Sequence, residues 1–294
     1  MEIPENIKDL RIPINLQSQC RVLEDWLGGL GMDFHTIPDE HEEQLVIYGD
    51  DYREFLLNPE VRLQHPAALC LSSSFAGSYL EIFNLGVKHL IYPGEFMAKE
   101  SLKLALVSST KLRQVECPGC LAVKNLKPDF ARTVVTPADR EALQKDVAEY
   151  LSNLEFPEDE NKTIRLCLKE AVTNAIFHGY RESGTHERKY NPDTFLGLYD
   201  DDEVKVELKA TDEWLRVSVH DNSGILGLLS VANSMDRHHS SQGLMDSRGR
   251  GLYLMHHMAR RMILTVHKRQ HTCVELYFQK YQESGPHQLQ LISL

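Results

Sequence analysis

The chain carries two hydrophobic rhythms, one after the other. From residue 8 to about 113, short apolar runs alternate with helix-period segments. DLRIPIN reads as a strand, and QSQCRVLEDWLGGLG as an amphipathic helix closed by glycines. FHTI and QLVIYG read as strands, YREFLLNPEV as a helix, and AALCLSS as a buried strand. FAGSYLEIFNLGV, KHLIYP and ESLKLALVSSTKLRQ continue as helix, strand and helix. Such βα alternation predicts a parallel sheet covered by helices on both faces. CPGCLAVKNLKPDF has the turn chemistry of a linker.

The second rhythm starts near residue 132. Thr136, Pro137 and Asp139 supply a cap residue, a first-turn proline and a first-turn acid, and predict a helix to about Leu154. After PEDENK comes a second helix containing KEAVTNAIFHGY. HERKYNPD and DDDE are loop-like. VKVELKATDEWLRVSVHD alternates with period two about a turn and predicts an antiparallel hairpin, as does MILTVHKRQHTCVELYF. Between them RGRGLYLMHHMARRM reads as a helix entered through glycines. The pattern predicts an α/β sandwich, a helical layer on one sheet.

Composition narrows the class of protein. The 294 residues are 42% hydrophobic and 26% charged, globular values sufficient for two cores. A net charge of -11 argues against direct nucleic-acid binding. MEIPENIKDLRIPINL lacks the basic and apolar regions of a leader, and no run approaches the ~20 apolar residues of a membrane span. A cytoplasmic protein without a membrane partner is expected. Of six cysteines only Cys117 and Cys120 are close, and no second ligand pair accompanies them, so a simple turn is expected there.

The candidate chemistry lies on the second helix. Glu170, Asn174 and His178 are spaced four and four, which aligns them on one helical stripe, while Ala171, Val172, Ala175 and Ile176 supply an apolar side. Two later elements match this stripe. In VHDNSGIL, Asp221 ends a strand and Gly224 follows in the turn; a carboxylate there can accept a hydrogen bond from an exocyclic amino group such as adenine N6. In DSRGRGLYLM, glycine amides at a helix start suit phosphates. Asn174 offers a hard oxygen to Mg2+, and Glu170 is placed to take a proton from an attacking hydroxyl.

The sequence EAVTNAIFHG, then DNSG, then GRGLYLM resembles the N, G1 and G2 boxes of the GHKL ATPases, over about residues 133 to 280. Within that superfamily it is most similar to the anti-sigma-factor serine kinases of the RsbW and SpoIIAB type. The resemblance implies a GHKL (Bergerat) α/β two-layer sandwich that binds ATP with Mg2+. It implies that Glu170 is the catalytic base and that Asn174 ligates Mg2+. It implies that Asp221 reads adenine with Gly224 packed beside the base, and that Gly249, Arg250, Gly251 and Leu252 run along the phosphates. His178 and Gly179 would shape the pocket floor. The implied partners are a STAS-type anti-anti-sigma protein carrying the phosphorylated Ser or Thr, a sigma factor held by the same domain, and a second copy of the chain. Two features depart from the family: Asp221 and Gly224 have two residues between them where the pattern has one, and the lid from Leu226 to Ser247 lacks a GxG run and carries His238 and His239, which are expected in a solvated loop. A non-catalytic nucleotide-binding or pseudo-kinase module is the alternative.

The first rhythm, with GVKHLIYPGE near its end, resembles a CheY-like receiver, a parallel αβα sandwich. Its pocket is incomplete. Asn15, Leu16 and Gln17 stand where the acidic pair belongs, and Tyr92 stands where the lysine belongs, before Pro93. Asp50 or Asp51 lies near the phosphoacceptor position, and Ser72 or Ser73 near the hydroxyl position. A degenerate receiver is expected. The predicted organisation is therefore α/β throughout: 1–115 receiver-like, 116–132 linker, 133–284 ATPase-like, and 285–294 tail.

Overall fold

The computed structural model describes residues 46–48, 67–70, 87–91, 129–180, 187–199, 201–211, 214–239, 250–280 and 288–293. In chain order the strands are β1 (Val46–Tyr48), β2 (Ala67–Cys70), β3 (Val87–Ile91), β4 (Phe130–Val134), β5 (Val204–Ala210), β6 (Trp214–Asp221), β7 (Arg261–His267), β8 (His271–Gln279) and β9 (Gln288–Ser293). The helices are α1 (Pro137–Ser152), α2 (Glu158–Gly179), α3 (Leu228–His239) and α4 (Arg250–Met258). The chain divides into two units, one of residues 1–122 with 288–292, the other of 123–287 with 293–294.

In the first unit β1, β2 and β3 pair in parallel, and β9 pairs antiparallel with β3 through His89 opposite Gln290 and Leu90 opposite Leu289. The stretch read as a tail thus contains a strand of the N-terminal unit. Asp50, Asp51, Ser72, Ser73, Tyr92, Cys117 and Cys120 lie outside the described residues.

In the second unit the sheet runs β7-β8-β6-β5-β4 with every neighbouring pair antiparallel. β4 begins within the expected linker: FARTV pairs from Phe130 opposite Leu208 to Val134 opposite Val204. Helix-facing positions alternate along the strands, and Val204, Val206, Leu208, Leu215, Val217, Val219, Leu264 and Leu276 are buried. They pack under Leu143, Val147 and Leu151 of α1 and Ile164, Leu168 and Ile176 of α2. Truncating one such core side chain to alanine costs about 2–5 kcal/mol.

The start of α1 follows the sequence closely. Thr136 Oγ1 accepts from the Asp139 N–H at 3.2 Å, and the Asp139 carboxylate accepts from the Thr136 N–H at 2.8 Å, a capping box followed by Pro137 in the first turn. These hydrogen bonds, the Thr136 backbone one foremost, hold the Asp139 carboxyl below its ordinary value. The segment read as a lid loop contains a helix, α3, and His238 and His239 form its last turn. Its apolar positions recur at helical spacing, with Val231, Ala232 and Met235 buried.

Candidate functional site

The last residue of α2 is a glycine, Gly179, for a steric reason. A β-carbon there would stand 3.3 Å from both Cγ and Oδ2 of Asp221, tighter than ordinary contact. The missing side chain lets the helix end lie against the carboxyl at the end of β6. The next residue, Tyr180, leaves the helix with extended backbone, φ -112° and ψ 147°. Its hydroxyl lies 2.6 Å from the Glu203 carbonyl and 2.8 Å from Asn222 Oδ1. Asn222 Oδ1 also accepts from the Glu203 N–H, and Asn222 Nδ2 donates to the Asp201 carbonyl at 2.6 Å. Asn222 occupies the lengthened Asp-Asn-Ser-Gly turn and ties it to the start of β5.

Ser223, the other residue of that turn, serves Asp221. Its N–H and its hydroxyl both donate to Asp221 Oδ1, at 3.1 and 2.5 Å. Asp221 is 5% exposed. Burial pushes its carboxyl above the ordinary aspartate value, against the opposing hydrogen bonds from Ser223. The Thr272 hydroxyl, opposite Asp221 in the sheet, draws the carboxyl the other way without a hydrogen bond of ordinary geometry. Ser223 holds Oδ1, while Oδ2 lies along Gly179. The sequence showed the turn as a departure. Its local logic, an Asp with a Ser two residues on, is Asx-turn chemistry and was legible there.

Gly224 is held by the turn between β7 and β8. Its φ is +57°, and a β-carbon would fall 2.1 Å from the His267 carbonyl oxygen and 2.6 Å from the Gln270 nitrogen. The Arg269 N–H donates to the Gly224 carbonyl at 3.0 Å. The glycine is required by the β7–β8 turn pressed against it.

That cavity measures about 160 Å³. Asn174, His178 and Gly179 of α2 form one wall and Asp221 with Thr272 another. Gly251 and Leu252 of α4 close it on a third side, and Ser230, Val231 and Ser234 of α3 face it as well, a wall that the sequence reading assigned to a loop. The three motifs therefore meet in one place.

The tightest junction is at Gly251. A β-carbon there would stand 2.7 Å from Glu170 Oε2 and 3.1 Å from Asn174 Nδ2, so the first turn of α4 rests on both polar side chains of α2. Asn174 Nδ2 is buried with no hydrogen-bond partner. The amide exchanges oxygen and nitrogen by a half-turn, so an orphaned amide here fits a site that takes an oxygen ligand. With the Glu170 carboxylate beside it, the pair offers the hard donors Mg2+ accepts. Glu170 also adds to the burial that pushes the Cys167 thiol up to about 12, so that thiol stays protonated. Arg250 opens α4; Gly249 lies outside the described residues. No cluster of metal-ligating side chains occurs among the described residues, and none of their helices is long and apolar enough to cross a membrane.

In the antiparallel sheet under helices, the α2 polar stripe, a buried strand-end aspartate and the first turn of α4 surround one cavity. Residues 134–278 match the family model of the histidine kinase-like ATPase domain, and that stretch is such a domain. Among solved structures, the chain is similar to one described as the crystal structure of the SiaB-SiaC complex from Pseudomonas aeruginosa. The two are 11% identical, with 54% of this chain and 95% of that chain covered and a TM-score of 0.37. No curated protein matches the chain.

Proposed function

We propose that the C-terminal domain binds ATP and transfers its γ-phosphoryl group to a Ser or Thr hydroxyl of a partner protein, an antagonist of the STAS type, and that the same domain sequesters a sigma factor when the partner is absent. The observation that carries this reading is the junction at Gly251, where a carboxylate and an amide one helical turn apart converge on the start of a helix. A helix start attracts phosphate oxygens. Asn174 would hold Mg2+, which supplies neutralisation of phosphate charge. Asp221 accepts from the adenine amino group. Glu170 takes the proton as the hydroxyl oxygen forms its bond to phosphorus and the bond to the β–γ bridging oxygen breaks, leaving ADP. A degenerate receiver in the N-terminal half would supply the input, and a homodimer is part of the same reading.

The second reading, a pseudo-kinase module, draws support from the same contact. With Gly251 resting on both side chains, α4 must shift before a triphosphate can enter between the helices. The cavity volume also lies below the roughly 300–1,000 Å³ usual for ligand pockets. Calorimetry with ATP, with and without Mg2+, and a transfer assay separate the two. Mg2+-dependent binding that favours ATP over GTP, with transfer of labelled γ-phosphate to a STAS-type acceptor, supports the kinase reading; binding without transfer, or no nucleotide binding at saturating Mg2+, supports the module.

A further inference from the structure

Helix α2 has a second functional face. At about 100° per residue, Asn174, Ala175 and His178 fall on one side of the helix and Lys162, Arg165, Leu166 and Lys169 on the opposite side. The second set lines a groove of about 740 Å³ between α2 and α1. Arg140 of α1 completes a set of four cations, with Glu141 the acid among the lining residues. This concentration of positive charge stands on a chain whose net charge is -11.

The cations are incompletely neutralised. Lys162 pairs with Glu158 at 3.7 Å and Asp159 at 3.4 Å, both exposed and therefore weak partners. Arg140 lies over the Phe177 ring at 5.5 Å, which orients its guanidinium without cancelling its charge. Arg165 and Lys169 have no ion pair among the described residues. They are four apart on one helix, and like charges at that spacing repel. The isolated domain is destabilised by this stripe, and acidic groups laid along the groove would remove the repulsion.

The floor of the groove is apolar. Leu166 is 37% exposed, and Leu143 and Val172 lie beneath. A channel with an aliphatic floor and cationic rims suits a helix-in-groove ligand with one apolar edge and flanking carboxylates. Phosphate polymers would gain from the rims but not from the apolar floor.

We infer that the groove between α1 and α2 is the docking site for an acidic, leucine-anchored segment of a partner protein, held on the face of α2 opposite the nucleotide cavity. This rests on the kinase reading only in taking the partner to be a protein. A segment docked there and a nucleotide bound in the cavity share one helix as a wall, so both can be present together.

The test uses the full chain and a fluorescein-labelled peptide with Leu at i, i+3 and i+7 and Glu elsewhere. Anisotropy should show binding that weakens with added salt. R165E/K169E should reduce the affinity at least about tenfold, as should L166S, with melting temperatures not lowered because all three residues are exposed. A peptide with Ser in place of Leu should bind more weakly to the wild type. The inference is overturned if the peptide does not bind, if it binds both variants as well as the wild type, or if single-stranded DNA or anionic phospholipid vesicles bind more tightly than the peptide. ATP affinity measured on the same samples keeps the two readings apart. Peptide binding without ATP binding removes the kinase reading and leaves the groove; ATP binding without peptide binding does the reverse.

Discussion

Gly179 lies directly against the carboxyl of Asp221, so the end of the longest described helix and the end of a central strand meet with no side chain between them. Gly179→Ala would place a methyl 3.3 Å from Cγ and Oδ2. The backbone of Gly179 is not left-handed, so the cost is steric alone. The carboxyl must give by a few tenths of an ångström, on the side that ligand would use. A loss of ATP affinity of about tenfold (about 1.4 kcal/mol) is expected, with a change in melting temperature of only a few degrees. Parallel calorimetry and thermal melts check this; an unchanged ATP affinity would remove Asp221 Oδ2 from the nucleotide contacts.

Gly224 offers the opposite case. Alanine there meets backbone atoms of the β7–β8 turn at 2.1 Å and also bears the left-handed strain of φ +57°. Asparagine tolerates that φ but carries the same β-carbon. Gly224→Ala and Gly224→Asn should both be destabilised by more than about 3 kcal/mol. Denaturant titration that finds the asparagine variant near wild type would show strain, not the turn, to be the constraint.

Asp221→Asn keeps an acceptor for both Ser223 hydrogen bonds and removes a buried charge. Because burial raises the folded-state carboxyl, the native state favours the protonated acid. That contribution is fully present below the unfolded value of about 3.9 and is lost as pH rises through the folded value. Asp221→Asn should therefore melt higher than the wild type at pH 7.5, on the order of a few degrees. The difference should shrink as pH falls toward about 4. The same variant should weaken ATP, since a carboxylate that only accepts is replaced by an amide that also donates. A gap that widens on acidification would reverse the sign of the assigned shift.

Glu170 and Asn174 should separate in function although they share one face. Asn174→Ala should abolish Mg2+-dependent nucleotide binding. Glu170→Gln should keep that binding and lose about 10²–10⁴ in transfer rate, the usual loss on removing a general base. Radiolabelled ATP with a STAS-type acceptor is the assay. Transfer by Glu170→Gln at the wild-type rate would remove the carboxylate from proton transfer.

Much of the C-terminal domain was legible in the sequence because its signals are local. Thr136, Pro137 and Asp139 announce α1, period-two alternation announces both hairpins, and the three motifs meet at one cavity. What escaped was set by distant pairing. FARTV has no period of its own and becomes β4 because β5 has a free edge beside it. α3 is short, and its apolar stripe falls in a segment read for the glycines it lacked. The contact that fixes Gly224 was also hidden, because spacing reveals a turn but not which backbone presses on it. The groove lined by Arg165 and Lys169 was invisible for a related reason: its other half comes from α1.

The return of β9 to β3 governs how the polypeptide is completed as it is made. The N-terminal unit includes residues 288–292, so its sheet is interrupted in sequence by the whole ATPase domain. During synthesis, β1 to β3 emerge first and must wait for the last strand, an interval on the order of ten seconds or more at ribosomal speed. Until then one side of β3 lacks its native neighbour, and an unpaired strand edge is a template for wrong pairings. A nascent chain that stalls inside the ATPase domain leaves the first unit unfinished as well, which makes the maturation of the first unit depend on synthesis of the second.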